Sequence, residues 1–175
     1  SFGAAQAGSD GVDEDVSAPY LEFRDVSFSY DDTKTKARVL EDISFTVDRG
    51  DSIGIIGGTG SGKSTLINLI PRYYDVTSGS ILMNGRDIRS EDPKGLRARI
   101  GVVPQKAGLF AMSLRDNLRL GNPDASDELL LKSMEDAQGS EILEKKEGGL
   151  DHAIEQDGRN LSGGQRQRVT IARAL

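Results

Sequence analysis

The stretch Gly57-Gly58-Thr59-Gly60-Ser61-Gly62-Lys63-Ser64-Thr65 holds the residue types that a polyphosphate demands. It fits the pattern of Gly, four residues, Gly, Lys, then Ser or Thr. Several backbone N–H groups must converge on one anion, which requires turns and close approaches that side chains obstruct, so glycines fill the loop. Lys63 supplies a point charge for the β- and γ-phosphates. The Ser64 hydroxyl suits Mg²⁺, a hard cation that takes oxygen donors and keeps several waters. Thr65 is placed to donate to an α-phosphate, and the helix that follows offers open amides and the positive end of its dipole to the same anion.

A second glycine-bearing segment closes the chain, Leu161-Ser162-Gly163-Gly164-Gln165, followed by Arg166 to Leu175. Val169 and Ala172, with Ile171 and Leu175, lie at helical spacing opposite arginines. Ser162 is suited to cap this helix, and Gly163 and Gly164 leave its first amides open for a second anion. The bland alternative is a capped surface helix.

The elements around the first loop follow from pattern. Ser52-Ile53-Gly54-Ile55-Ile56 is short and apolar, the signal of a buried strand, and Leu66-Ile67-Asn68-Leu69-Ile70 continues as a helix that ends near Pro71. Upstream, Tyr20 to Tyr30 alternates in part and Val39 to Val47 reads as a second strand, so an antiparallel sheet leads into the α/β part. Tyr30, at a strand end, could stack on an adenine or be an ordinary strand aromatic. Downstream, Thr77 to Ser80 reads as a turn. Ser80 to Ile88 reads as a hairpin about Asn84-Gly85, and Asp92-Pro93 opens a short helix through about Arg97. Ile100-Gly101-Val102-Val103 is a buried-strand candidate, placing Gln105 where a strand meets a loop, a position from which side chains reach ligands and also, more commonly, solvent. Short helices are expected at Ser113 to Leu120 and from Ser126 to about Ala137, and a polar loop at Leu143 to Asn160, with His152 in it and given no role.

Composition narrows the classes. A chain of 175 residues can bury one core, and its formal charge of −6, with no concentrated basic face, argues against nucleic acid as a partner. There is no Cys and one His, which excludes disulfides, thiolate sites and a histidine cluster. No apolar run is long enough to cross a bilayer and no signal peptide is evident. Residues 1–19 are rich in Gly, Ala and Asp and are expected to be a flexible linker or remnant, with an acidic docking segment as the alternative.

Together these residues carry a resemblance. Leu161 to Gln165 resembles the signature motif of ATP-binding-cassette (ABC) ATPases; Gly57 to Thr65 is similar to the Walker A loop of that family, Tyr30 to its adenine-stacking aromatic, and Gln105 to its Q-loop glutamine. The resemblance covers about residues 20–175, and Arg72-Tyr73-Tyr74-Asp75, Val103-Pro104-Gln105, Leu109-Phe110, Asn117-Leu118 and Glu155 to Asn160 resemble the exporter branch. It implies an α/β P-loop NTPase core with an antiparallel β lead-in subdomain and a helical signature subdomain. It implies ATP and Mg²⁺ as cofactors, with Tyr30, Val39, Gly58, Thr59, Gly60, Ser61, Gly62, Lys63, Ser64, Thr65, Gln105, Ser162, Gly163, Gly164 and Gln165 at the nucleotide, Ser64 and Gln105 at the metal, and Lys63, Gln105 and Ser162 in catalysis. It also implies two partners, a second nucleotide-binding domain paired head to tail and a transmembrane domain, and hence a place on the cytoplasmic face of a membrane.

One departure bears on activity. Complete cassettes continue to an apolar strand ending in Asp, then a Glu, a loop Asp and a His; no run of four apolar residues followed by Asp-Glu occurs in this chain. The expectation is a truncated cassette, its C-terminal part missing and its Walker A strand left with a bare edge, that binds ATP weakly and turns it over negligibly. An exporter motor is the leading reading. A non-catalytic regulatory nucleotide-binding module and an ABC-type ATPase of DNA repair or translation are the alternatives.

Overall fold

The computed structural model describes residues 18–30, 38–106 and 108–175, so nearly all of the expected linker lies outside the described residues. The chain forms two compact units that divide between Ile100 and Gly101.

The first unit is built on β1 (Leu21–Phe28), an inner strand of a four-stranded antiparallel sheet in the order β2-β1-β3-β4, with β2 at Leu40–Val47, β3 at Ser78–Met83 and β4 at Arg86–Asp87. Alternation explains the face: Leu21 and Phe23 are buried while Arg24 is exposed. Phe23 pairs with Phe45 on one side and with Ile81 on the other, and the Phe23 and Phe45 rings stack at 4.5 Å. Leu66 and Leu69 of α1 (Lys63–Leu69) and Leu96 of α2 (Pro93–Arg97) complete this core. Each such fully buried side chain stabilises the unit by about 1.5–3 kcal/mol. α2 begins as its sequence predicts, the Asp92 carboxylate accepting from the N–H groups of Lys94 and Gly95 at 3.1 Å, with Pro93 in the first turn.

The hairpin is where the Asn-Gly pair puts it, with Asn84 at φ 50° and Gly85 at φ 76° between β3 and β4. The expected turn at Thr77 to Ser80 is instead the start of β3. Opposite it β1 bulges between Arg24 and Ser27, with Asp25 at φ 48°. Gly79 sits there at φ 79°, and a Cβ on it would overlap the carbonyls of Arg24 and Asp25, so the glycine is needed for the bulge rather than for a reversal.

Two expected strands do not form. Residues 51–58 are irregular and exposed, with Ile53 49% and Ile56 97% exposed, and residues 100–104 are likewise irregular. The apolar pattern of Ser52 to Ile56 and Ile100 to Val103 is real, but a strand exists only through a ladder, and among the described residues no strand pairs with either stretch.

The second unit is helical: α3 (Leu114–Arg119), α4 (Asp127–Asp136), α5 (Ser140–Lys145) and α6 (Gly163–Ala174). Ser113 and Ser126 cap α3 and α4, accepting from Asp116 N and Leu129 N at 3.0 and 3.3 Å. Leu114, Leu118, Leu130, Met134 and Ile142 pack with Val169 and Ala172 of α6 in one core. The stripe on α6 is shorter than expected, since Leu175 is exposed and Thr170 is buried, its hydroxyl donating to the Arg166 carbonyl at 2.9 Å. The polar reading of residues 143–160 is corrected too. α5 reaches Lys145, anchored by fully buried Ile142, and Leu150 and Ile154 hold the following turns in the core. His152 is half-buried, contacting the Glu147 carbonyl and the Asn160 amide, each at 3.2 Å. Among the described residues no helix is long and apolar enough to cross a membrane.

Candidate functional site

In the first unit the glycine loop is exposed from Gly57 to Ser61 and runs directly into α1, whose N-cap, Gly62, has φ 85° and no side-chain cap. Its first amides are therefore not engaged by a capping side chain. Gly62 is required by its surroundings: a Cβ there would lie 2.8 Å from Leu40 Cδ2 and 2.9 Å from the Val39 carbonyl. That contact brings Val39 beside the loop. A Cβ on Gly57 would meet Ser61 Oγ at 2.5 Å and push that hydroxyl aside, whereas Cβ atoms on Gly58 and Gly60 would point into open space. Gly60 has φ 80°, a conformation that disfavours any other residue.

The side chains follow the same geometry. The Lys63 ammonium donates to the carbonyls of Gly57 and Gly58 at 2.8 and 2.7 Å and to Ser61 Oγ at 3.3 Å, so the loop curls around its own cation. Thr59 and Ser64 are exposed, the latter next to Lys63 on the first turn of α1. Thr65 is buried, and its hydroxyl shares a 2.9 Å hydrogen bond with the Tyr30 hydroxyl. Tyr30 is held edge-on to Phe28 at 4.8 Å and to Tyr74 at 5.2 Å. This unit thus brings Tyr30, Val39 and the whole 57–65 loop together. An open cradle of backbone, an ammonium and two hydroxyls has the donor chemistry of a phosphate site, and the exposed Ser64 hydroxyl is an oxygen donor of the kind Mg²⁺ takes.

In the second unit Ser162 caps α6 through a full capping box: its hydroxyl accepts from Gln165 N at 3.2 Å, and Gln165 Oε1 accepts from Ser162 N at 2.9 Å. Gln165 is thereby spent on the helix start rather than left free. Gly163 and Gly164 are exposed, and a Cβ on Gly164 would meet nothing within 4 Å. Neither glycine has positive φ, so nothing inside this unit requires glycine at 164. Arg166 braces the entry, donating to the Leu161 carbonyl at 2.7 Å. Gln105 is exposed in the irregular segment after Gly101, not at the end of a formed strand.

Sequence reasoning missed two supports. Tyr74, noted for its resemblance to the exporter branch, is a neighbour of Tyr30. Asn117, fully buried on α3, accepts from Phe110 N (3.0 Å) and Arg173 Nη2 (3.1 Å) and donates to the carbonyls of Phe110 (3.0 Å) and Ser113 (3.1 Å). Arg173 also donates to the carbonyls of Asn117 and Gly108 at 2.8 and 3.0 Å, and burial pushes its guanidinium down from the usual arginine range. An Asn at a core position of a helical stripe was the readable signal for this brace on the far end of α6.

A glycine-lined loop beside an antiparallel sheet, and a separate helical unit that presents a capped Ser-Gly-Gly-Gln turn, are the features by which the chain resembles an ATP-binding cassette. Comparison with known proteins makes this definite. The sequence model of the ABC transporter family matches residues 40–175. The beta-(1→2)glucan export ATP-binding/permease protein NdvA of Rhodopseudomonas palustris is 46% identical over 166 residues, covering 95% of this chain and 27% of that protein. ABC transporter B family member 6 of Dictyostelium discoideum is 41% identical over 162 residues, covering 90% of this chain and 24% of that protein. A solved structure, a bacterial Atm1-family ABC exporter with ATP bound, superposes with a TM-score of 0.81 at 35% identity over 91% of this chain and 28% of that one. The chain belongs to the ABC transporter family. It spans about a quarter of the length of the curated relatives it matches.

Proposed function

We propose that this chain is ATP-binding machinery of an ABC exporter, in which ATP binding and hydrolysis drive movement of a substrate across a membrane. The observation that carries the reading is the loop at residues 57–65. Its glycine at 62 is demanded by close contacts and a positive φ, those at 58 and 60 leave open space, and Lys63 and the two hydroxyls stand around it. Relatives with export ATP-binding/permease names across nearly the whole chain support the exporter branch. Lys63 and the uncapped amides of α1 would bind the phosphates, Thr65 the α-phosphate and Tyr30 the base. Ser64 would hold Mg²⁺, which when bound neutralises charge developing on the transferred phosphoryl group. In phosphoryl transfer the protein mainly positions and stabilises charge, and these residues are of that kind.

The turn at Ser162 to Gln165 is the contact for the triphosphate bound by a second copy. Its support is the glycine at 164, which this chain's own packing does not need, and the family's head-to-tail pairing implied by the resemblance. A γ-phosphate gripped by helix starts from two copies favours pairing, and its loss favours separation. Sedimentation velocity tests this directly. MgATP is expected to shift the chain toward a two-copy species, and Ser162→Arg, which places a bulky side chain on the turn, is expected to abolish the shift while leaving ATP affinity of the single copy intact. An MgATP-dependent species that survives Ser162→Arg would contradict the paired arrangement.

The transmembrane domain is the second partner and the cytoplasmic face its location, both inferred from the fused ATP-binding/permease relatives. No apolar strand ending in Asp-Glu occurs in the sequence. The chain on its own is therefore expected to bind ATP and release phosphate negligibly, which a phosphate-release assay checks.

A further inference from the structure

The residues expected on the nucleotide are not idle without it. Thr65 is 6% exposed, so its hydroxyl is largely shut off from water, and the Tyr30 hydroxyl is its partner at 2.9 Å. Tyr30 is itself 56% exposed yet fixed at three points: by that hydroxyl, by the Phe28 ring (4.8 Å, interplanar 86°) and by the Tyr74 ring (5.2 Å, 90°). Edge-to-face contacts at these separations are attractive and directional. Lys63 shows the same condition, its ammonium engaged by the Gly57 and Gly58 carbonyls. The two side chains that would meet phosphate are each already satisfied inside the first unit.

We propose that Tyr30 is a latch on the phosphate loop: in the 2.9 Å bond between the two hydroxyls Thr65 is the donor, so its one proton is committed to the phenol oxygen and must be withdrawn for Thr65 to donate to an α-phosphate. This rests on the nucleotide reading of the same site and adds regulation to it. The residue expected to stack on the base then has two opposed effects. Its ring favours the nucleotide through stacking, while its hydroxyl stabilises the empty loop and lowers affinity. A phosphate oxygen is charged and so a stronger acceptor than a phenol, which makes the exchange favourable, yet by less than it would be for a free Thr65. Tyr74 and Phe28 are the positioning residues of the latch, since they aim the phenol at α1. The consequence is an unusual sign. Phenylalanine at position 30 keeps the ring, its edge contacts and its stacking face, and removes only the group that opposes binding. It leaves the Thr65 hydroxyl without its partner in the empty chain and restores one on binding.

Titration calorimetry with MgATP on the wild-type chain, Tyr30→Phe, Thr65→Val and the double variant tests the latch. Tyr30→Phe is expected to tighten MgATP by about three- to tenfold, the equivalent of one neutral hydrogen bond. Thr65→Val is expected to weaken it, and Tyr30→Phe is expected to bring no gain in the Thr65→Val background. Tyr30→Ala, which loses the ring as well, is expected to bind more weakly than wild type. A Tyr30→Phe affinity equal to or below wild type, or a gain that persists without the Thr65 hydroxyl, would overturn the latch alone, provided that the wild-type chain binds MgATP and Lys63→Ala weakens that binding. Failure of the wild-type chain to bind MgATP would overturn the nucleotide reading and the latch with it.

Discussion

Replacing Asn117 with leucine isolates the brace at the far end of the signature helix. The side chain is fully buried and of nearly leucine's shape. Its carbonyl oxygen accepts from Phe110 N and from Arg173 Nη2, and its amide donates to the carbonyls of Phe110 and Ser113. Those two carbonyls keep other donors, Met112 N at 2.9 Å and Asn117 N at 3.0 Å, so their loss is small. The two donors do not fare as well: Phe110 N–H and one Arg173 nitrogen are left without the acceptor they had. One neutral orphan costs about 1–3 kcal/mol and one charged orphan about 1.5–3 kcal/mol, while leucine's extra apolar burial returns about 1 kcal/mol. The net expectation is destabilisation of the second unit by about 1.5–5 kcal/mol. Urea unfolding followed by circular dichroism at 222 nm measures it as a lowered midpoint at unchanged slope. Arg173→Leu is expected to cost less once Asn117 is already leucine, with a coupling of about 1–2 kcal/mol. A loss below about 1 kcal/mol, or strict additivity of the two substitutions, would refute the reasoning.

Other outcomes follow from the same structure. Gly79→Ala is expected to cost about 2–4 kcal/mol, because φ 79° disfavours alanine and the new Cβ overlaps two carbonyls of β1; urea unfolding checks it. Acid should weaken the fold. Hydrogen bonds from Arg89 to Asp87, from Arg115 to Asp127, and from Lys145 to Glu141, with Arg168 adding to the last, hold these carboxyls below the ordinary carboxylate range. A depressed folded-state value means stability that is present above the ordinary carboxylate pKa and is lost as pH falls through the folded values, so the urea midpoint is expected to drop below about pH 4. A midpoint that stays flat or rises there would contradict these pairings.

Much of this molecule is legible in local chemistry. Asp92, Ser113, Ser126 and Ser162 announce helix starts because a side-chain oxygen two or three residues before an open amide is a local matter, and Asn84-Gly85 announces its turn because both positions need left-handed backbone. The glycine loop at residues 57–65 is legible as a loop for the same reason. What sequence hid depends on partners far along the chain. Ile53, Ile55 and Ile56 carry the pattern of a buried strand but form none, since pattern specifies a face and not the neighbour that must supply the ladder. Gly79 looked like a turn glycine because the bulge it accommodates lies fifty residues earlier, in β1. The order β2-β1-β3-β4, which sets the hairpin beside β1, the meeting of Tyr30 with Thr65 and Tyr74, and the capture of Arg173 by Asn117 are all long-range. In each case the residue was visible and its partner was not.

The whole account turns on the grip of the 57–65 loop on a triphosphate, and the most direct test is the dissociation constant of MgATP for the chain and for Lys63→Ala, measured by titration calorimetry. The account predicts saturable one-site binding that weakens by about tenfold or more when the ammonium is removed, the equivalent of a hydrogen bond to a charged group. Equal affinity in the two proteins, or no saturable binding by the wild-type chain, would contradict it.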